Sequence, residues 1–281
     1  DRVISPVSRK WSFWNRGYVI YLWDTYFAAY QAAAFGQKDM AYANAVEMTN
    51  AKKDLPFVPN VEQANGFVSR DRSQPPVGSV CVRQVYSRFK EKWFLELLYD
   101  DLLEWNNWWL ENRDYDGLLC YGSTLYEPVV GAPGEYTDRD QVHGWFGASM
   151  ESGWDGATLY KDVPFDKDRS ILTMWDVALN GLYVQDCRAL ADIAEELGRK
   201  KEARMLRKRA TFYQKNMQRL WDEKTGYFRN KSWLTGDFSD VTSVNGFYSM
   251  MAKAATEEQV KIMLENYFFN PDEFYGKWII P

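Results

Sequence analysis

Apolar side chains recur every three or four residues along much of the chain, which is the spacing of one face of an α-helix. This pattern is clearest from Phe94 to Trp109, from Tyr183 to Leu197 and from Ala203 to Leu220. Strict alternation of apolar and polar residues, which indicates strands, is rare. The pattern predicts four antiparallel pairs of helices and few strands. The five less regular helical stretches lie near 22–35, 38–53, 78–90, 240–253 and 256–268.

Two helix boundaries are marked by residue type. Gly198 follows a periodic stretch, where glycine commonly ends a helix. Thr256 precedes Glu257 and Glu258, which is an N-cap followed by an acidic first turn. We therefore expect the fifth helix to end at Gly198 and the eighth to begin at Thr256.

Residues 114–174 show little periodicity and contain many Gly, Pro and Asp residues. A loop of this length inside a compact domain is usually functional. Three polar and aromatic motifs stand at the starts of the first, third and fifth helices: "YLWDTYF", "RDRSQPPVG" and, inside this loop, "MESGWDG". Odd-numbered helices in an alternating chain run the same way. If they form an inner ring, the three motifs meet at one end of it.

Composition limits the possible functions. The 281 residues are 46% hydrophobic and 17% aromatic, which suffices for one large core or two smaller ones. The 13 Trp and 18 Tyr residues indicate either a large aromatic core or rings that stack on sugars. The net charge of −5 and the lack of a basic patch argue against a nucleic-acid partner. No apolar run reaches 18 residues, so the sequence predicts no membrane span.

Cysteine and histidine content excludes several catalytic classes. Cys81, Cys120 and Cys187 are far apart and form no CxxC pair, which predicts buried thiols. His143 is the single histidine, so a centre with several histidine ligands is impossible. No GxSxG motif accompanies it, and we expect a structural or supporting role for His143.

Two of the motifs each have a structural and a functional interpretation. In "RDRSQPPVG", the prolines fix a turn that presents Arg72 and Gln74, which suits recognition of hydroxyl or carboxylate groups. The alternative is a salt-bridged start of a helix. In "YLWDTYF", Asp24 is either a helix cap or an acceptor for a sugar hydroxyl beside a stacking ring.

Two acidic motifs suggest metal chemistry. "NRDYDGLL" places Asn112, Asp114 and Asp116 at alternate positions before a glycine, like the front of a calcium loop. Ser123 stands where an EF-hand needs glutamate, so the alternatives are another calcium loop or an Asx-rich turn. "DDLLE" at 100–104 resembles the magnesium motif of isoprenoid synthases, but a second acidic motif is missing. We interpret its carboxylates as the solvated face of a helix.

Taken together, "YLWDTYF", "RDRSQPPV", "ESGWDGA" and "WDVALNGLYVQDCRALADIAEELG" resemble glycoside hydrolase family 63 and the trehalases of its clan. The bacterial branch, which includes α-glucosidase-like and mannosylglycerate hydrolase-like enzymes, is the most similar. The resemblance covers almost the whole chain and implies an all-α (α/α)6 toroid that hydrolyses an α-glycosidic bond with inversion. In such enzymes one carboxylic acid protonates the leaving oxygen, and a second carboxylate activates water.

The resemblance also assigns residues. It implies that Asp155 is the general acid, with a pKa raised by an apolar wall such as Trp154. The residues that match the subsite for the terminal sugar are Trp23, Asp24, Phe27, Arg72 and Gln74. Some family members hold a structural calcium ion, and the matching ligands here are Asn112, Asp114, Asp116, Leu118 and Asp176.

The chain departs from the family pattern in two respects. Gly156 follows the general acid where Asn or Asp is usual. Eight predicted helices fall short of the twelve in a toroid, and the segment that carries the family's general base is not recognisable. Glu265 in "ENYFFNP" imitates the motif around that base but matches a different family segment. We expect 1–281 to be a partial catalytic domain, completed by a further segment or a partner chain.

The alternative function is a non-catalytic, carbohydrate-binding toroid; a trehalase or an isoprenoid synthase is a more distant one. The expected partner is an oligosaccharide or glycoside. The sequence leaves the compartment open between the bacterial cytoplasm and periplasm.

Overall fold

A computed structural model describes residues 19–63, 67–126, 143–154 and 156–278. Nine α-helices lie in these ranges: α1 Leu22–Ala34, α2 Lys38–Asn50, α3 Gly78–Phe89, α4 Lys92–Arg113, α5 Trp145–Glu151, α6 Val177–Glu196, α7 Lys200–Asn216, α8 Tyr248–Met251 and α9 Glu257–Met263. Short 3-10 segments precede α8 and follow α7, and a π-helical turn, Leu264–Phe268, follows α9. A helix lies in each of the eight predicted stretches, although the stretch 240–253 contains only the four residues of α8 and the 3-10 segment Val244–Phe247 before it, and α5 is additional.

The strands are short and pair only locally. They are β1 Val19–Tyr21, β2 Val61–Gln63, β3 Asp114–Tyr115, β4 Leu118–Leu119, β5 Phe165–Asp166, β6 Ile171–Leu172, β7 Met174–Trp175, β8 Trp221–Asp222, β9 Tyr227–Phe228 and β10 Lys231–Ser232. They form five antiparallel two-stranded pairs, β1–β2, β3–β4, β5–β6, β7–β10 and β8–β9. The prediction of few strands therefore holds in substance, because none of these pairs forms a layer of the fold.

The segment 114–174 is more regular than its composition predicts. Its described part contains helix α5 and the strands from β3 to β6, as well as β7 at its end. The seven residues of α5 and two-residue strands are too short to produce a recognisable period. Residues 127–142 and Asp155, which belong to the same segment, lie outside the described residues.

The helices form two layers. Helix α1 packs on α3, α3 packs on α6, and α6 packs on α8, so these four form the inner layer. Helices α2, α4 and α7 each pack against the inner helix that precedes them in the chain. The alternation of inner and outer helices is the arrangement that the four predicted pairs require.

The three polar and aromatic motifs of the sequence meet, as predicted. Trp23 at the start of α1 binds Gln74 in the turn before α3, and Ser73 in the same turn binds Glu151 at the end of α5. Tyr160, in the segment leading to α6, binds Asp176 at the N-cap of α6. We call this end of the inner layer the mouth.

Many of the aromatic residues in the described ranges are buried in the core. Trp105, Trp108 and Trp109 of α4 are each at most 1% exposed, and Tyr26 stacks on Trp105. The three cysteines are buried and free, as predicted. Trp23 and Trp154 are only partly buried. The core therefore accounts for a large part of the aromatic content but not for the rings at the mouth.

Helix α3 begins against the middle of α6. The backbone N–H of Ser79 donates to Oδ1 of Asp186 at 3.1 Å, and Asn106 of α4 donates to Oδ2 at 2.7 Å. Burial raises the pKa of Asp186 to about 6. A carboxylate at a helix N-terminus binds backbone N–H groups that have no partner within the helix. Asp186 thus fixes the start of α3 relative to α4 and α6.

Both marked helix boundaries are confirmed. Gly198 has a φ of +78° and donates to the Glu195 carbonyl, which ends α6. Thr256 and Gln259 form a reciprocal capping box at the start of α9. Within the described parts of the chain, no helix has the length and apolar character that crossing a bilayer requires.

The "DDLLE" carboxylates lie on the outer helix α4. Asp100 pairs with Arg199, while Asp101 and Glu104 pair with Lys52. Their side chains are 40–72% exposed. The interpretation as a solvated helix face is confirmed.

Candidate active site

Helix α1 presents two aromatic rings at the mouth. The rings of Trp23 and Phe27, one helical turn apart, lie 6.2 Å apart at an angle of 38°. Trp23 is partly buried and Phe27 is 41% exposed. Partly exposed rings of this kind suit the C–H faces of a sugar.

Asp24 lies between these rings in the chain. Its side chain is solvent-exposed, yet partial desolvation raises its pKa. The carboxylate lies in the first turn of α1, where a negative charge is favourable. Its position beside Trp23 fits a hydroxyl acceptor next to a stacking ring.

Gln74 fixes the start of α1. Its Oε1 accepts a hydrogen bond from the Trp23 backbone N–H at 3.2 Å. Pro75 and Pro76 follow and restrict the backbone before α3. The structure therefore places Gln74 next to Trp23.

Arg72 lies in a buried polar cluster. Its Nη1 donates to both carboxylate oxygens of Asp71, at 2.7 and 2.9 Å, and its Nε donates to Asn60 at 3.2 Å. Ser123 donates to Asp71 at 2.8 Å, and His143 Nδ1 lies 3.6 Å from the same carboxylate. Despite burial, these partners and the adjacent guanidinium lower the pKa of Asp71 to about 2. The salt-bridged interpretation thus describes the Arg72 geometry.

Trp154 completes the aromatic group at the mouth. Its ring meets Trp23 edge-on at a centroid distance of 6.2 Å. Gly153 precedes it with a φ of +70°, and a Cβ there would lie 2.5 Å from the Trp23 ring. A glycine is therefore needed for both the backbone conformation and the contact. Asp155, the predicted general acid, lies outside the described residues, and its neighbours Trp154 and Gly156 lie within them.

Glu151 is held in a buried cluster that the sequence analysis did not identify. Arg113 at the end of α4 donates to its two carboxylate oxygens, at 2.7 Å from Nε and 3.0 Å from Nη2. The backbone N–H groups of Ser73 and Gly122 donate to the same carboxylate at 3.1 and 2.6 Å. We call these four residues the Glu151 clasp.

The Glu151 clasp is fully desolvated. The side chains of Glu151 and Arg113 are both 0% exposed. Burial raises the pKa of Glu151, and the guanidinium and two backbone N–H groups oppose this effect. A bidentate guanidinium contact with additional hydrogen bonds is the geometry in which a buried ion pair is tolerated. Since Arg113 is 38 residues from Glu151, no local sequence pattern indicates the contact.

The residues of the predicted calcium site have protein partners. Asp114 accepts hydrogen bonds from the Gly117 N–H and the Tyr213 hydroxyl. Asp116 pairs with Arg219 at 2.7 Å. Asn112 accepts a hydrogen bond from the Tyr126 hydroxyl, and Leu118 is in strand β4, paired with Tyr115. The guanidinium of Arg219, which contacts Asp116 from the turn after α7, would compete with a metal ion for the same carboxylate oxygen atoms.

Asp176, the distant ligand of that predicted site, caps α6. Its Oδ1 accepts a bond from Leu179 N–H at 2.8 Å, and its Oδ2 accepts bonds from Tyr160 and Asn230 at 2.9 and 2.6 Å. Among the described residues no group of three His, Cys, Asp or Glu side chains is arranged to hold a metal ion. The arrangement of these residues does not fit calcium, and the Asx-rich turn describes it better.

Comparison with protein families gives a match over most of the chain. The family model of the mannosylglycerate hydrolase MGH1-like glycoside hydrolase domain matches residues 17–281. No curated protein sequence matches significantly.

Solved structures with the same fold include two groups of hydrolases. The family 63 mannosylglycerate hydrolase of Thermus thermophilus, in complex with glucose, has a TM-score of 0.67 at 17% identity, over 88% of this chain and 68% of that chain. The neutral trehalase of Saccharomyces cerevisiae has a TM-score of 0.70 at 18% identity, over 89% of this chain and 53% of that chain. These similarities confirm the all-α fold of the (α/α)6 toroid type.

The alternating helix layers and the match over residues 17–281 lead to the same assignment. This chain belongs to the mannosylglycerate hydrolase MGH1-like domains of glycoside hydrolase family 63.

Proposed function

We propose that this protein is an inverting, exo-acting glycoside hydrolase that removes a terminal α-linked glucosyl or mannosyl residue. The observation that carries the proposal is the group of partly exposed rings, Trp23, Phe27 and Trp154, where the inner helices begin. Asp24 and Gln74 lie beside these rings and supply polar groups for sugar hydroxyls. A terminal sugar bound there meets the chain segment that bears Asp155.

In this proposal Asp155 protonates the glycosidic oxygen. Its immediate neighbour Trp154 is partly buried, and desolvation by such a ring raises the pKa of a carboxyl group into the range of a general acid. The second carboxylate, which activates water on the opposite face of the sugar, is assigned to none of the described residues. The aglycone is an oligosaccharide or a small organic acid such as glycerate, as the name of the matching family suggests.

The test is hydrolysis by the full-length protein and its Asp155→Asn variant. The substrates are α-linked glucose and mannose disaccharides and mannosylglycerate, with release of the free sugar as the measurement. We expect the variant to lose at least about 100-fold in kcat, which is the usual contribution of a general acid. Asp168→Asn, which changes an exposed carboxyl in the same segment, is the control and should retain activity.

The second candidate is a carbohydrate-binding protein without activity. Gly156, which follows Asp155, favours this second candidate. The polar side chain that is usual at this position in the family is missing, and a Cβ there would have no atom within 4 Å. Calorimetry with the same sugars separates the two functions. Binding without hydrolysis would support the second candidate, and equal activity in the Asp155→Asn variant would rule out the acid assignment.

A further inference from the structure

The Glu151 clasp joins three parts of the mouth in one desolvated contact. Ser73 belongs to the turn that carries Gln74, Arg113 ends α4, and Gly122 follows β4. Each donates to the same carboxylate, at distances between 2.6 and 3.1 Å. The last residue of α5 is therefore fixed to three chain segments at once.

The fit around the clasp is tight. A Cβ at Gly122 would lie 2.4 Å from the Ser170 carbonyl and 2.8 Å from Nε of Arg113. Arg113 also donates to the Thr124 hydroxyl at 2.9 Å and lies 4.5 Å from the Trp108 ring centroid. A planar guanidinium with this many fixed contacts has little freedom to follow a displaced partner.

Only three residues separate Glu151 from Asp155. Between them, Ser152 donates to the Ser149 carbonyl and accepts a hydrogen bond from the Trp154 N–H at 3.0 Å. Gly153 packs against the Trp23 ring. The chain therefore leaves the clasp in one defined path to Trp154 and has few ways to absorb a shift at Glu151.

We propose that the Glu151 clasp is a positioning element, which holds Trp154 against Trp23 and sets the path of the segment that bears the general acid. Glu151 and Arg113 touch neither sugar nor reacting atoms in this proposal. The inference rests on the proposed function, because it takes Asp155 as the general acid. It assigns the ion pair a role in catalysis beyond its contribution to stability.

The test compares two substrates of the full-length protein that differ in their need for an acid. An α-glycoside with a sugar leaving group requires protonation of the leaving oxygen, whereas the corresponding α-glycosyl fluoride leaves far more readily without it. In Glu151→Gln, we expect kcat on the glycoside to fall about 100-fold, as misplacement of a catalytic group by about 1 Å does. We expect kcat on the fluoride to change less than about threefold.

Arg207→Met is the control, because it breaks ion pairs with Asp192 and Glu195 near the end of α6 that is opposite its N-cap Asp176. This variant should change kcat on both substrates equally, or on neither. An equal loss on both substrates in Glu151→Gln would show a purely structural or sugar-binding role and would overturn the proposal. So would a selective loss in the control variant.

Amide hydrogen exchange over residues 152–156 provides a measurement that is independent of activity. We expect faster exchange in Glu151→Gln, and in Glu151→Asp should the first variant fail to fold, with exchange in α6 unchanged. Unchanged exchange at 152–156 would contradict the positioning role. A wild-type protein that hydrolyses neither substrate would refute the proposed function, and the exchange result would still decide whether the clasp holds the segment.

Discussion

Gly153 combines a backbone requirement with a packing requirement. Its φ of +70° is unfavourable for residues with a side chain, and its Cα faces the Trp23 ring. Gly198, at the end of α6, has a similar φ of +78° but open space around a Cβ. Substitution of Gly198 therefore tests only the backbone conformation, whereas substitution of Gly153 tests both the conformation and the contact with Trp23.

We predict that Gly153→Ala destabilises the protein more than Gly198→Ala. Each variant should lose about 1–2 kcal/mol of unfolding free energy from the left-handed conformation. Gly153→Ala should lose about 1–3 kcal/mol more from overpacking against Trp23. It should also raise KM, because the ring moves. Urea unfolding and sugar kinetics measure the two effects, and equal destabilisation would contradict the contact.

Among single residues, sequence and structure agree best where a role is local. Gly198 and Thr256 act on the backbone next to them, and residue type alone predicts both. Arg113 and Asp186 act on residues 38 and 107 positions away. Such contacts depend on how helices meet, which no short pattern contains.

At the scale of elements, α3 depends on a carboxylate from α6. Asp186 accepts hydrogen bonds from Ser79 and Asn106, and it is 1% exposed. Desolvation raises its pKa from the ordinary value of 3.8 to about 6. The folded protein therefore retains a proton on Asp186 over a pH range in which the unfolded chain has lost it.

We predict that this carboxyl makes stability fall as pH rises from about 4 to about 6. The shift corresponds to on the order of 3 kcal/mol, present below pH 4 and lost as pH passes the folded pKa. Asp186→Asn should remove this part of the dependence. The measurement is the unfolding free energy of the wild type and of Asp186→Asn at several pH values. The difference between the two curves isolates Asp186, because the other buried carboxyls remain in both proteins. Parallel pH curves would refute the prediction.

The 112–118 segment is a second element, for which the sequence leaves two interpretations open. Side chains that carry oxygen atoms at alternate positions indicate a calcium loop and a polar turn equally well. Asp116 pairs with Arg219, and Asp114 binds Tyr213. These partners come from α7 and the turn that follows it, so the choice between the two interpretations depends on a distant part of the chain.

We predict that EDTA leaves the unfolding temperature unchanged, because protein groups already bind these carboxylates. Thermal unfolding with and without EDTA, together with elemental analysis of the purified protein, provides the measurement. Stoichiometric calcium and a drop of several degrees on its removal would restore the calcium site.

At the scale of the whole molecule, the chain alternates between inner and outer helices, and periodicity predicts this well. The three longest helices, α4, α6 and α7, are recognisable because each buries one continuous apolar stripe, and five less regular stretches indicate the other predicted helices. Helix α5, with seven residues, and the two-residue strands are too short to repeat a recognisable pattern. The convergence of the three motifs was predicted from their places in the chain, and hydrogen bonds and a ring contact join them in the structure.

Glu265, whose sequence imitates the motif around the family's general base, lies on the surface of the protein. It lies in the π-helical turn that follows α9, its side chain is 63% exposed, and it pairs with Lys261 at 3.9 Å. We predict that Glu265→Gln changes kcat of the full-length protein by less than about twofold, because an exposed carboxylate in a weak pair contributes little. Steady-state kinetics on an α-glycoside measure it. A loss comparable to that of Asp155→Asn would make Glu265 a catalytic residue.

The Glu151 clasp also has a consequence for how the protein folds. Its hydrogen bonds join residues up to 78 positions apart, and closing long loops costs chain entropy before contacts form. Helices can form early from neighbouring residues, whereas the clasp requires α4, α5 and the turn before α3 to have docked. We therefore expect the aromatic rings at the mouth to take their places late in folding, after these elements have docked.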